Sequence, residues 1–259
     1  MAVKIKYDTG FALSGGFIRG FAHLGAVQSL IEHDIRPNII SGVSAGALVG
    51  VLIADGNEPY RVLDFFKGLK FLDFTKPTIP RAGFFDLNEL KDFLNTHLKV
   101  KRLEELSLPM IVTATDLDHG HSVHFTKGAI AERVVASCSM PILFKPMSIN
   151  GTNYVDGGVL MNLPVSTLRK TCRRVVAVNV SPLLAPKYKL NLINIAERSY
   201  HFMSNSNTLA ERDLADILIE PTNLSSYGNT ELEKAQEIFM AGYKKANETL
   251  LEYKFYHLL

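Results

Sequence analysis

The sequence predicts an α/β fold of three layers, a mostly parallel central sheet with helices on both faces. Two observations predict it. Short apolar and β-branched runs alternate with longer segments of helical periodicity, the order expected when parallel strands are joined by crossover helices. Two of those runs also end in glycine-rich turns that open straight into helical segments.

The elements run in chain order. Phe11-Ala12-Leu13 is a short strand running into Ser14-Gly15-Gly16, and a helix follows with Leu24, Val27, Leu30 and Ile31 on one face. Ile39-Ile40 is the next strand and leads to Gly42-Val43-Ser44-Ala45-Gly46. "ALVGVLIADG" is a buried helix stopped by Gly56. Asp86 and Glu89 have the spacing of a capping box, which opens a helix through about His97. Met110 to Thr115 is a strand with "HSVHFT" as its returning hairpin partner, and Ala129 to about Ser137 is helical. Asn150-Gly151 is a hairpin signal. Val175 to Val180 is a buried strand by its β-branched run, and "DILIE", Asp216 to Glu220, is the last strand. Leu232, Ala235, Phe239, Gly242, Tyr243, Ala246 and Leu250 keep helical spacing near the C-terminus.

Composition narrows the function classes. Of 259 residues, 47% are hydrophobic and 21% charged, which suits one domain, residues 1–259, with a full core. A net charge of +2 without blocks of like charge argues against nucleic acid as a partner. Cys138 and Cys172 belong to no CxxC or Cys/His cluster, so no zinc site is expected and both are read as reduced thiols. "MAVKIKYDTGFALSGG" lacks the apolar core of a secretory signal, and no apolar run reaches the ~18 residues that span a bilayer. The expectation is a soluble, cytoplasmic protein that meets a membrane, if it does, at its surface. The oligomeric state is not legible.

Gly42-Val43-Ser44-Ala45-Gly46 carries the first chemical signal. A serine between a strand and a helix, with glycines two residues to either side, has the setting of a nucleophile elbow: strained backbone at the tip, no room for side chains at Gly42 and Gly46, and a helix N-terminus that favours negative charge. The plain alternative is a glycine-rich turn with a capping serine. "LSGGFIRGFAHLGAV" occupies a similar junction. Phe17 breaks the dinucleotide-binding spacing, and no Gly-Lys-Ser/Thr follows. The backbone N–H groups of Gly15, Gly16 and Phe17 are candidate oxyanion donors, and Arg19 either fixes the loop or meets an anionic head group.

A serine nucleophile needs a base. The eight histidines offer no evident partner. His23 and His33 belong to the first helix, His97 ends the helix opened by Asp86, His119, His121 and His124 lie in a polar hairpin, and His201 and His257 sit in C-terminal helices. Asp156 is better displayed, at a strand end in "NYVDGGVLMNLPV", followed by Gly157 and Gly158. A model aspartate has a pKa of about 4, so it serves only where water is excluded and burial raises its proton affinity.

Taken together these blocks resemble the patatin-like phospholipase family, whose members hydrolyse lipid acyl esters with a serine–aspartate dyad and no histidine. "LSGGFIRGFAHLGAV" looks like its oxyanion loop, "GVSAG" its elbow, "VDGG" its aspartate motif and "ASCSMPILFKP" the segment before it. The resemblance covers about residues 10–170 as a catalytic core, with strands and helices of about 171–259 beyond it. It implies Ser44 as nucleophile, Asp156 as base, Gly15, Gly16 and Phe17 around the oxyanion, and a lipid or acyl-ester substrate cleaved without metal or cofactor. The family usually has glycine where Phe17 stands.

Six phenylalanines, at 65, 66, 71, 74, 84 and 85, flank the turn-rich "KPTIPRAG" and either wall an acyl pocket, form a lid or pack a core. Two competing functions stand beside ester hydrolysis. One is a non-catalytic acyl-binding protein on the same scaffold. The other is a histidine-triad esterase in which His201 or His257 is essential.

Overall fold

A computed structural model describes residues 5–79, 82–181, 190–228 and 231–257 of the chain. The first strand, β1 (Tyr7–Leu13), leads through a 3₁₀ turn (Phe17–Gly20) into α1 (Phe21–Glu32). β2 (Ile39–Val43) runs into α2 (Ala45–Ala54), which is apolar on nearly every side and correspondingly buried. Gly56, at φ 85°, turns the chain out of α2. A proline at its first turn starts α3 (Pro59–Phe65). The phenylalanine-rich excursion after it is closed by a small antiparallel ribbon of β3 (Lys76–Pro77) and β4 (Phe85–Asp86).

α4 (Asn88–His97) starts differently from expectation. Asp86 does not form a capping box with Glu89. Its carboxylate accepts the Asn88 N–H at 2.7 Å, a turn that ends on the first residue of the helix, and Glu89 pairs instead with Lys76. The long-range ion pair captures the glutamate that the local pattern had assigned to the cap. β5 (Met110–Asp116) and β6 (His121–Phe125) form the expected hairpin, and α5 (Ile130–Cys138) follows. β7 (Met147–Ile149) and β8 (Thr152–Asp156) are joined through Asn150 and Gly151, both at positive φ (52° and 85°), the conformation for which Asn-Gly is selected. α6 (Ser166–Arg169) precedes β9 (Cys172–Val178). Then come α7 (Leu192–Ser206), α8 (Leu209–Arg212), β10 (Ile217–Ile219) and α9 (Ala235–His257). Leu232 lies just ahead of α9 in a 3₁₀ turn.

The strands form one sheet in the order β10-β9-β1-β2-β5-β8-β7, with β6 also paired to β5. The run from β10 to β5 is parallel, and β6, β7 and β8 are antiparallel. This is the mostly parallel α/β sheet that the sequence predicts. β9 and β10 complete its far side, so the chain beyond residue 170 builds sheet as well as helices. α1 and α9 cross with their backbones touching. A Cβ at Gly25 would strike the Phe239 carbonyl, and one at Gly242 the Ala22 carbonyl. Among the described residues no helix is long and apolar enough to cross a membrane.

The register around β5 brings two strand ends together. Val43 pairs with Thr113 and Asp156 with Ala114, and β6 takes the opposite edge of both residues. β2 and β8 therefore meet end to end along one edge of β5. Their termini reach adjacent β5 residues, about 3.3 Å apart along the strand.

Candidate active site

Ser44 follows the last residue of β2 and caps α2. Its φ of 52° and ψ of −121° are a strained conformation for a side-chain-bearing residue. The surrounding glycines are there for space. A Cβ at Gly42 would meet the Gly46 carbonyl, and one at Gly46 would meet the Leu13 carbonyl. α5 holds the turn from the side. The Ser137 hydroxyl donates to the Thr113 carbonyl at 2.6 Å and accepts the Ser44 N–H at 2.8 Å.

Asp156 ends β8, and its own N–H donates to the Ser139 carbonyl at 2.9 Å. Two serines of "ASCSMPILFKP" thus tie down Ser44 and Asp156, a role the sequence does not reveal. Gly157 lies flat on β5, where a Cβ would strike the Thr113 carbonyl and come within 3.1 Å of Val43. Asp156 is 2% exposed. Its carboxylate accepts the Gly158 N–H at 2.8 Å, and the Ser44 hydroxyl and the Tyr200 phenol face it as further donors that lower its pKa. Burial raises its pKa to about 6, against the lowering effect of those three donors. The Cys138 thiol packs beside Ser44 and Asp156, and burial pushes its pKa up, so it stays protonated.

The glycine loop is more differentiated than its sequence. The Gly15 N–H is already donated to the Asn162 carbonyl at 3.1 Å, which removes it from the set of expected oxyanion donors. Asn162 is too distant in sequence for the motif to betray that contact. Gly16 and Phe17 have no backbone acceptor among the described residues. Phe17 takes a φ of 53°, and it lines the same pocket as Ser44. Arg19 is buried, and its Nε–H donates to the Gly16 carbonyl at 3.2 Å, so it fixes the loop. Burial lowers its pKa to about 10.

The histidines lie elsewhere. His23 is fully buried, and its Nε2–H donates to the Ser14 carbonyl at 2.8 Å. Burial lowers its pKa to about 4, so it braces the glycine loop as a neutral ring. His33 and His97 each donate to a carbonyl of their own helix. His119 meets Asp116, His124 meets the Thr113 hydroxyl and His201 meets the Ser181 hydroxyl at 3.4 Å. Among the described residues no histidine is hydrogen-bonded to Ser44.

Ser44 and Asp156 open onto an apolar pocket of about 820 Å³, its open mouth included. Its walls include Phe17, Phe21, Phe66, Phe71, Phe74 and Phe144, so three of the six phenylalanines in the excursion reach it. Phe65 packs at a tilt on His97, and Phe85 packs against both Phe71 and Phe144. Residues 80 and 81 of "KPTIPRAG" lie outside the described residues.

The family model for patatin-like phospholipase matches residues 11–169. An uncharacterized NTE family protein of Mycobacterium tuberculosis is 32% identical over 163 residues, which cover 61% of this chain and 44% of that protein. Lysophospholipase NTE1 of Cryptococcus neoformans is 30% identical over 183 residues, covering 66% of this chain and 11% of the fungal protein. The chain thus spans less than half the length of either. A probable lipid hydrolase of Invertebrate iridescent virus 6 is 27% identical, with 95% of this chain and 90% of the viral protein covered. Among solved structures, VipD from Legionella pneumophila shares the fold at a TM-score of 0.62 and 16% identity, covering 95% of this chain and 67% of VipD.

Proposed function

We propose that this chain, which belongs to the patatin-like phospholipase family, hydrolyses carboxylic esters of lipids through an acyl-enzyme on Ser44, with Asp156 as the base. The observation that carries the proposal is the hydroxyl of a strained serine set beside a buried carboxylate at the floor of an apolar pocket. Ser44 attacks the ester carbonyl as its proton moves to Asp156. The carbonyl oxygen becomes negative near the N-terminus of α2 and the amides of Gly16 and Phe17, which meet no backbone acceptor among the described residues. Asp156 then protonates the leaving alcohol, and later draws a proton from the water that cleaves the acyl-enzyme.

The raised pKa of Asp156 matters to that chemistry. A carboxylate titrating at about 6 is a better proton acceptor than an exposed one and is still ionised at neutral pH. Activity on this account falls as pH drops through about 6. The phenylalanine wall would accept one acyl chain, and the fungal relative's name, lysophospholipase, favours a single-chain phospholipid.

The test is fatty-acid release from lysophosphatidylcholine and from p-nitrophenyl esters of several chain lengths. Wild-type protein turns over, while Ser44→Ala and Asp156→Asn each lose about 10³-fold or more. A wild-type protein that binds these acyl chains without cleaving any of them is instead an acyl-binding protein on the same scaffold.

A further inference from the structure

Helix α7 lies outside the matched residues 11–169, yet it brings a phenol beside the Asp156 carboxylate. The oxygen of Tyr200 occupies the space over Gly158 where a side chain would project. A Cβ at Gly158 would strike it, and Asp156 Oδ1 is 3.2 Å from that same Cβ position. Gly158 does not need glycine for its backbone, because its φ is not positive. The second glycine of Asp-Gly-Gly leaves room for the Tyr200 oxygen and for Asn162 Oδ1, which lies 2.8 Å from the same position.

The rest of α7 enforces this placement. Asn207 caps the helix seven residues after Tyr200, on the same helix face. Its Nδ2 donates to the carbonyls of Gly158 (2.9 Å) and Val159 (3.3 Å), and its Oδ1 accepts the Asn162 N–H at 2.8 Å. The loop after Asp156 is therefore gripped at two points two turns apart along one helix.

We propose that Tyr200 is a positioning residue for Asp156: its phenol donates to the carboxylate, fixes its orientation toward Ser44 and favours its ionised form. The proposal rests on the Ser44–Asp156 reading and adds a third member from beyond the family match. Among the described residues the titratable groups facing Asp156 are Cys138 from α5 and Tyr200 itself from α7. Burial pushes both upward, so thiol and phenol keep their protons while Asp156 titrates, and the acid limb of activity reports the carboxylate alone.

The experiment is the pH profile of kcat/KM on a short, soluble p-nitrophenyl ester, for wild type, Tyr200→Phe, and protein with 3-fluorotyrosine placed at 200. Loss of the donor in Tyr200→Phe moves the acid limb up by about 0.5–1 pH unit and lowers plateau kcat about 3–30-fold, with KM within about twofold. The fluorinated phenol is a stronger donor and moves the limb down by about a few tenths of a unit. A Tyr200→Phe limb that coincides with wild type, even with a lower plateau, makes Tyr200 a packing residue and overturns the proposal. If Tyr200→Phe does not fold, an unshifted limb in the fluorotyrosine protein overturns it equally. Asp156→Asn separates the two levels. Wild-type activity there removes the dyad and this proposal together, whereas an inactive Asp156→Asn with an unshifted Tyr200→Phe limb removes Tyr200 alone.

Discussion

The pocket has two unlike walls. The floor is polar and made of backbone: Ser44 on its turn, Asp156 at a strand end, and glycines at 42, 46 and 157 whose missing Cβ atoms let carbonyls pass. The other wall is made of rings. Phe66 meets Phe21 edge-on at 5.1 Å and Phe74 at 5.8 Å, while Phe71 lies 6.3 Å from Phe144. Backbone cannot yield to an added methyl group, whereas packed side chains re-sort after one is lost. The floor is therefore brittle and the ring wall adaptable, and substitutions on the two should differ in kind.

The largest effect is expected on the floor. Gly46→Ala sets a methyl group against the Leu13 carbonyl, which belongs to β1, an inner strand of the sheet. It should cost about 3 kcal/mol or more of stability, and about 10²-fold or more in kcat/KM in whatever folds. Urea unfolding and ester turnover measure both. An alanine tolerated at 46 would break the distinction between the walls.

Next is the charge buried in the floor. The folded pKa of Asp156, about 6, lies above the unfolded value of about 3.9. The folded state therefore holds that proton more tightly, and its advantage is complete below pH ~3.9 and lost as pH rises through about 6. Ionised Asp156 costs the native state about 3 kcal/mol at neutral pH on that shift. Asp156→Asn should accordingly be inactive yet more stable than wild type at pH 7 by about 1–3 kcal/mol, a gain that vanishes near pH 4. Thermal unfolding across pH 4–7.5 checks it, and a constant difference between the proteins would contradict it.

Ser137→Ala should fall between the walls. It leaves the Ser44 N–H and the Thr113 carbonyl without their shared partner, at a cost of about 1–3 kcal/mol and about tenfold in kcat. Chemical denaturation and steady-state kinetics give both numbers.

On the ring wall, Phe71→Ala should change the ratio of kcat/KM between long and short acyl esters by about 3–10-fold while leaving turnover of the shortest ester intact. An unchanged ratio would move Phe71 from acyl recognition to simple packing. The smallest effect is expected at Phe17, at φ 53°. Phe17→Gly relieves about 1 kcal/mol of backbone strain and opens the pocket toward the glycine loop. Its signature is a shift toward bulkier acyl groups, read from the same ester series.

The same contrast governs what the sequence discloses. Gly42, Ser44 and the Asn150-Gly151 turn are local backbone solutions that leave their mark within a few residues of where they act, and Gly46 and Asp156, whose contacts are distant, were legible because each stands inside such a local motif. The alternation that announced a mostly parallel sheet is equally local, since each strand and helix carries its own period. Asp86 and Glu89 are the counterexample, because a distant lysine took the residue that the local rule had assigned. Ser137, Asn162 and Tyr200 were illegible for a related reason. Their partners stand 93, 147 and 44 positions away, at Ser44, Gly15 and Asp156, and no short pattern encodes a contact of that span. The excursion from Phe65 to Phe85 lay between these cases. Its composition announced an apolar surface, and only the fold distinguished Phe66, Phe71 and Phe74, which reach the pocket, from Phe65 and Phe85, which pack beside it.

The most direct test is the second-order rate at which a fluorophosphonate labels Ser44, measured against pH in wild type and Asp156→Asn. Labelling requires the hydroxyl to attack as its proton leaves, so it isolates the carboxylate's part from substrate choice and product release. The account predicts modification at Ser44 alone, with a rate that climbs through a single ionisation near pH 6, and an Asp156→Asn rate that is low and flat. Wild-type labelling in Asp156→Asn, or its loss on substituting a histidine such as His201, would contradict it.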